Sequence, residues 1–291
     1  MLLLLWLLIA EPRPPKNDAD LRFWLENMLA HRYSLGEMSE ATGLSTNELA
    51  RALKGVANSP LRLLPYPGGR HPRIGFLEGA INPQRETKVS VFTPWDSTSY
   101  VVVDVPEAIW SNLGLTYLAH THVPTIWSKQ GVEVPKLEWR RNADGSLAIE
   151  RILPNKIAFA AKVFPTSDAV QMRLWLTNET TETLRDLRVQ NCVMLKGAKG
   201  FEQQTNDNKV FSSPYVACKS ADGQRWIITG WVPCHKTWAN APVPCLHSDP
   251  KFPDCAPGQT QQLRGWLSFY EGTNIQQELR RIDQIGWREA P

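Results

Sequence analysis

The sequence predicts a mainly β protein, a large antiparallel β-sandwich preceded by a small three-helix unit. Three observations lead there. From residue 73 onward, short segments of alternating or continuous apolar residues recur, with no long amphipathic helix between them. Asp144-Gly145 and Asp222-Gly223 place hairpin turn signals between such segments. Before residue 60 the apolar spacing is helical instead, with Leu21, Trp24, Leu25, Met28 and Leu29 on one face.

The elements follow in order. Residues 1–10 are an apolar run too short to span a bilayer as a helix, and residues 11–18 are polar and proline-rich. The pair suits a signal-peptide core with its linker, although no Lys or Arg precedes the run. The expected location is therefore secreted or periplasmic, with no stable membrane span. Residues 19–58 form the helical unit. Ser34 with Glu37, and Ser45 with Glu48, have the capping-box spacing, and Gly43 ends the first of these two helices in a tight turn. Residues 59–72 are a junction in which Pro and Gly exclude helix. The β-domain is placed at 73–275, with strands at 88–92, 100–105, 156–164, 170–176, 226–232 and 263–270. Residues 276–291 are expected to be a tail.

Net charge is +3, too small to argue for nucleic acid. The Ser34-to-Leu53 stretch resembles a helix-turn-helix of the bacterial regulator type, but Glu37, Glu40 and Glu48 oppose a phosphate backbone. A packing module competes with a DNA reader there. Twelve Trp are an excess for this length; core anchors account for most, and stacking on sugar rings is the functional alternative. Cys192 reads as a core thiol, while Cys234, Cys245 and Cys255 share one loop that two of them could staple in an oxidising compartment. Neither a Walker loop, a nucleotide-binding glycine motif nor a serine-hydrolase elbow is present.

The 169–184 segment is an alternating strand followed by Thr177-Asn178 and a polar turn, with Leu184, Leu187 and Val189 opening a return strand. It resembles the hairpin of galactose-mutarotase-like supersandwiches. That resemblance implies a supersandwich fold and a saccharide ligand. By the same resemblance, a His would act on the ring oxygen and a late Glu, positioned like Glu271, on the anomeric proton.

The residues themselves offer a first candidate site in His120 and His122, which sit at i and i+2 of an extended segment and so share a face. Such a pair suits acid–base work, with Asp249 or Asp207 as carboxylate partner. Trp127 and Trp238 are candidate stacking platforms. His247, Asn206, Lys251, Arg70 and Arg73 are candidate polar contacts, the arginines for a sugar carboxylate. The 231–258 segment, with six Pro, two Trp and two His, is expected to be a stiff loop closing over this site. A second reading is metal. The 114–122 stretch resembles the opening of a cupin motif, G-x5-H-x-H, without the following Glu, and His120, His122 and His247 are its candidate ligands. The cofactor expectation is thus none, or one divalent ion. The readings left open are an exported carbohydrate-active enzyme, a carbohydrate-binding module, a cupin-like metal protein and a ligand-sensing regulator.

Overall fold

A computed structural model describes residues 12–56, 63–65, 87–96, 98–119, 123–135 and 137–289. His120, His122, Arg70 and Arg73, with the apolar 1–10 run, lie outside the described residues.

The chain is mainly β. A six-stranded antiparallel sheet runs in the order β1 (Leu63–Pro65), β2 (Lys88–Phe92), β3 (Tyr100–Asp104), β11 (Val193–Met194), β16 (Cys245–Pro250) and β15 (Cys234–Trp238). An eight-stranded sheet runs β12 (Lys209–Ser212), β13 (Tyr215–Lys219), β14 (Arg225–Val232), β17 (Thr260–Glu271), β9 (Val170–Asn178), β8 (Ile157–Pro165), β7 (Leu147–Ile152) and β6 (Arg140–Arg141). A small third sheet joins β10 (Val189–Gln190), β4 (Ala108–Ser111) and β5 (Gly114–Leu118).

Period-two alternation explains how the large sheets meet. Val89, Val91, Val101, Val103, Val193 and Leu246 come from one sheet, and Ile149, Phe159, Met172, Leu174, Ile227 and Leu263 from the other. All belong to a single buried cluster, so the sheets pack face to face across it. Strands β8 and β9 show the strict in–out pattern along their length. The Asp-Gly turns fall where expected, between β6 and β7 and between β13 and β14.

Three helices occupy the N-terminal unit: α1 (Asp18–Ala30), α2 (Leu35–Thr42) and α3 (Thr46–Leu53). Both capping boxes form, each with the serine hydroxyl accepting from the N3 amide at 3.3 Å. Such caps contribute about 1 kcal/mol each. Gly43 closes α2 at φ +74°, a left-handed position that a side chain would strain. Trp24, Leu25, Met28, Met38 and Leu49 form this unit's own small core.

The unit is docked, not tethered. His31, just past α1, is buried and lies 2.7 Å through Nε2 from the Ser90 hydroxyl of β2. Phe23 and Ala30 pack on Phe92, Tyr100 and Val102, the outer face of the six-stranded sheet. Arg13 grips Asp20 of α1 and Glu138 at the β-domain's edge, while Arg141 lies over the Phe23 ring.

Four expectations are corrected. The 231–258 segment is not one long loop: β15 and β16 form a hairpin at the edge of the six-stranded sheet, with Trp238 paired opposite His247 and Thr237 opposite Ser248. The return strand after β9 does not pair back on it, since Val189–Gln190 pairs with β4 while β9 is held by β8 and β17. The junction contains an edge strand, β1, against β2. The expected tail holds α4 (Ile275–Gln284), capped by Asn274, whose Ile275, Leu279 and Ile282 cover Trp226, Ile228 and Trp266 on the outer face of the eight-stranded sheet.

Candidate functional site

Strand register assembles a polar row across the outer face of the six-stranded sheet. Lys88 of β2 stands opposite Asp104 of β3. Asp104 donates its amide to the Cys192 carbonyl at 2.9 Å, placing Cys192 next in line. The β11–β16 register, Val193 opposite Leu246, sets Cys192 beside His247. His247 faces Trp238 of β15, which completes the row. Cys245 shares the face of His247 two residues away.

The geometry is tight and buried. Cys245 Sγ lies 3.2 Å from His247 Nε2, and both residues are 3% exposed. The Trp238 indole stacks on the imidazole, with centroids 3.9 Å apart and planes at 9°. Its Nε1–H donates to Asp249, whose other oxygen accepts from the Asn191 amide at 3.2 Å. On the far side of the ring, His247 Nδ1 lies 3.8 Å from Asp249 and 3.9 Å from Glu107. Glu107 also accepts from Gln190 at 2.8 Å. Lys88 and Asp104 form a buried ion pair.

Electrostatics follow from this crowding. A hydrogen bond from Cys192 holds the Cys245 thiol low against the effect of burial, and His247 adds to it. The same Cys192 hydrogen bond, with burial, pushes the Cys192 thiol up. Burial works against a charged His247, but Cys245, Glu107 and Asp249 outweigh it and raise the imidazole. Burial raises Asp104 and Asp249, opposed by Lys88 and His247 respectively. Perturbed groups of this kind concentrate at functional sites.

Glu107 gives a measurable consequence. Its ordinary value is 4.5, and burial raises it to about 7, opposed by His247. Between those values the folded protein holds a proton that the unfolded chain has released. The contribution of Glu107 to stability is therefore full below about 4.5 and is lost as pH rises through about 7. Urea unfolding of wild type and Glu107→Gln at several pH values should show the difference, wild type minus variant, declining across that window. The expected decline is on the order of 3 kcal/mol, levelling off above it. A difference that is flat or rises with pH contradicts the assignment.

The expected site residues scatter. His247, Asp249 and Trp238 come together in the row. Trp127 does not offer a platform: it is buried in the main core, its indole donating to the Thr116 carbonyl at 2.7 Å. Asp207 is exposed on its own turn, bonded through its amide to Thr205. Asn206 reaches the Ala239 carbonyl at 3.5 Å, beside the hairpin. Lys251 pairs with Asp186 and Glu271 with Arg225, both at the surface. All five cysteines are free thiols, so none of the pairings open to Cys234, Cys245 and Cys255 is formed, and Cys192 is a member of a polar cluster as well as of the core. Lys88, Asp104, Glu107 and Cys245 were not anticipated as site residues. The available signal was charge at the ends of apolar strands and the Cys-x-His spacing.

A second feature lies on the outer face of the eight-stranded sheet. α4 covers its β13–β14–β17 half. On the other half, a groove of about 340 Å³ is lined by Leu137, Glu138, Arg140, Ala148, Glu150, Ala160, Lys162 and Trp175. Register explains its shape: Trp175 of β9 faces Ala160 of β8, which faces Glu150 of β7. A large ring beside small residues leaves a trough with one aromatic wall.

No protein-family model matches the chain, and no curated protein sequence matches it. Among solved structures, the chain is similar to a human-microbiome protein described as a kojibiose phosphorylase. The TM-score is 0.38 at 6% identity, over 64% of this chain and 25% of that one, so the match spans a quarter of the phosphorylase. It is also similar to the Slr1438 protein of Synechocystis sp. PCC 6803, with TM-score 0.34 and 9% identity over 63% of this chain and 88% of that one. At such scores neither structure defines the fold or activity of this chain.

Proposed function

We propose that the protein binds a saccharide in the groove beside Trp175. The observation that carries this reading is the pairing of an indole wall with an alanine floor, rimmed by Glu138, Arg140, Glu150 and Lys162. A pyranose has an apolar C–H face and a hydroxyl edge. The ring stacks on an indole, and charged or amide groups on the rim read the hydroxyls. The volume sits at the small end of ligand sites, roughly 300–1,000 Å³, enough for one or two sugar rings.

Binding is preferred to catalysis on one ground. The His247 cluster, where acid–base chemistry was expected, is closed under Trp238 and buried, so a sugar in the groove does not meet it. In the same reading the helical unit is a packing module and not a DNA reader, since α1 is pinned to the sheet. Export belongs to the proposal as well, on the strength of the apolar 1–10 run; N-terminal sequencing of protein recovered from each cell fraction tests it.

A glycan panel with wild type and Trp175→Ala tests the binding. At least a tenfold loss of affinity, about 1.4 kcal/mol, is expected, with little change in melting temperature because the ring is half-buried. Ala160→Phe should fill the floor and lose binding similarly. No glycan retained by wild type, or equal retention by both variants, defeats the proposal.

A further inference from the structure

The geometry points to a zinc site at Cys192, Cys245 and His247, on the outer face of the six-stranded sheet beneath Trp238. It rests on donor atoms and their spacing, independently of the saccharide groove.

The two sulfurs and one imidazole nitrogen all lie within 4.8 Å of one another, on three buried residues. A tetrahedral zinc with Zn–S near 2.3 Å and Zn–N near 2.0 Å separates its donors by roughly 3.5–3.8 Å. The Cys245–His247 pair already stands at 3.2 Å, so small side-chain adjustments suffice. A fourth donor is at hand. Cys192 belongs to a second group of the same compactness with Asp104 and Glu107, so a carboxylate oxygen stands within 4.8 Å of its sulfur.

Unsatisfied polar atoms support the site. His247 Nδ1 is buried and makes no hydrogen bond, and neither do the two side-chain amide atoms of Asn191, which is 3% exposed. Burial of such groups without partners is costly. With Nε2 on the metal, the proton sits on Nδ1 and points toward Asp249 and Glu107. That is the arrangement in which a carboxylate orients a metal-bound imidazole. Asp249 is itself held by Trp238 and Asn191, so the outer layer is built. Two thiols beside an imidazole select a thiophilic ion over magnesium or calcium. On binding, each thiol that is still protonated releases its proton to solvent, and both sulfurs bind as thiolates.

The test uses the full-length protein, prepared metal-free under reducing conditions. Titration with Co²⁺ should give a thiolate-to-cobalt charge-transfer band that saturates at one equivalent. Zn²⁺ should abolish the band and raise the melting temperature. Cys245→Ser should lower Zn²⁺ affinity at least a hundredfold. Cys192→Ser should lose most of the charge-transfer intensity, which keeps the test open if one variant folds poorly. Trp175→Ala should leave metal binding unchanged, so that failure of the groove proposal stays separate. Absence of a charge-transfer band with folded wild type overturns the site. So does a Cys192–Cys245 disulfide in the protein as isolated without reductant.

Discussion

Replacing Asp104 by alanine is expected to destabilise the protein by roughly 3–5 kcal/mol. Asp104 is 2% exposed and its partner Lys88 is 4% exposed. Each charge left water on folding, and the attraction between them offsets that loss. The pair owes its place to strand register, Lys88 opening β2 directly across from the close of β3. Removing the carboxylate leaves the ammonium in the interior with its principal counter-charge gone, which is far worse than never burying either. The double variant Lys88→Met, Asp104→Leu should therefore recover most of the loss, because apolar groups of similar size need no compensation there. Urea unfolding of the three proteins at neutral pH measures this. A single variant within about 1 kcal/mol of wild type would show that the pair is not electrostatically isolated. A double variant as unstable as the single would point to packing as the cause.

Much of the β-domain was legible because strands with one buried face must alternate. β8 and β9 do so over nine residues each. The helices were legible because capping boxes are local chemistry, decided within four residues. The α4 helix carries the same kind of signal, Ile275, Leu279 and Ile282 at helical spacing after the cap Asn274, in a segment expected to be a tail. β16 was hidden. Its residues Cys245, His247 and Asp249 are polar yet buried, on the outer face of the sheet, so no apolar alternation marks them. The i, i+2 argument made for His120 and His122 holds equally for Cys245 and His247, but only once that segment is known to be a strand. The row itself was illegible in principle. Lys88, Asp104, Cys192, His247 and Trp238 come from five separate strands or strand ends, and only register brings them together. Among the described tryptophans, Trp24, Trp127, Trp139, Trp226, Trp231, Trp266 and Trp287 are buried anchors, while Trp95, Trp110, Trp175 and Trp238 are half-exposed, the last two at the groove and the polar row.

Gly265→Ala should be among the most damaging one-carbon changes in the chain. Gly265 lies on β17 directly across from Trp231 of β14, near the centre of the eight-stranded sheet. A Cβ there would stand 2.5 Å from Cε2, 2.6 Å from Cζ2 and 2.8 Å from Cδ2 of the Trp231 indole. The ring is 1% exposed and packed in the main core, so it has no room to retreat. The added methyl must therefore displace the indole or bend two central strands, at an expected cost of roughly 3 kcal/mol or more. Trp231→Ala alone should cost a similar amount through the cavity it leaves, about 3–5 kcal/mol. Combined, the two changes relieve each other, because the methyl enters space the ring has vacated. The double variant should then be more stable than the sum of the single losses by at least about 1 kcal/mol, a coupling that sites without contact do not show. Thermal and urea unfolding of the four proteins closes the cycle. Simple additivity would mean that the clash is absorbed elsewhere, and that this face of the sheet is looser than its burial implies.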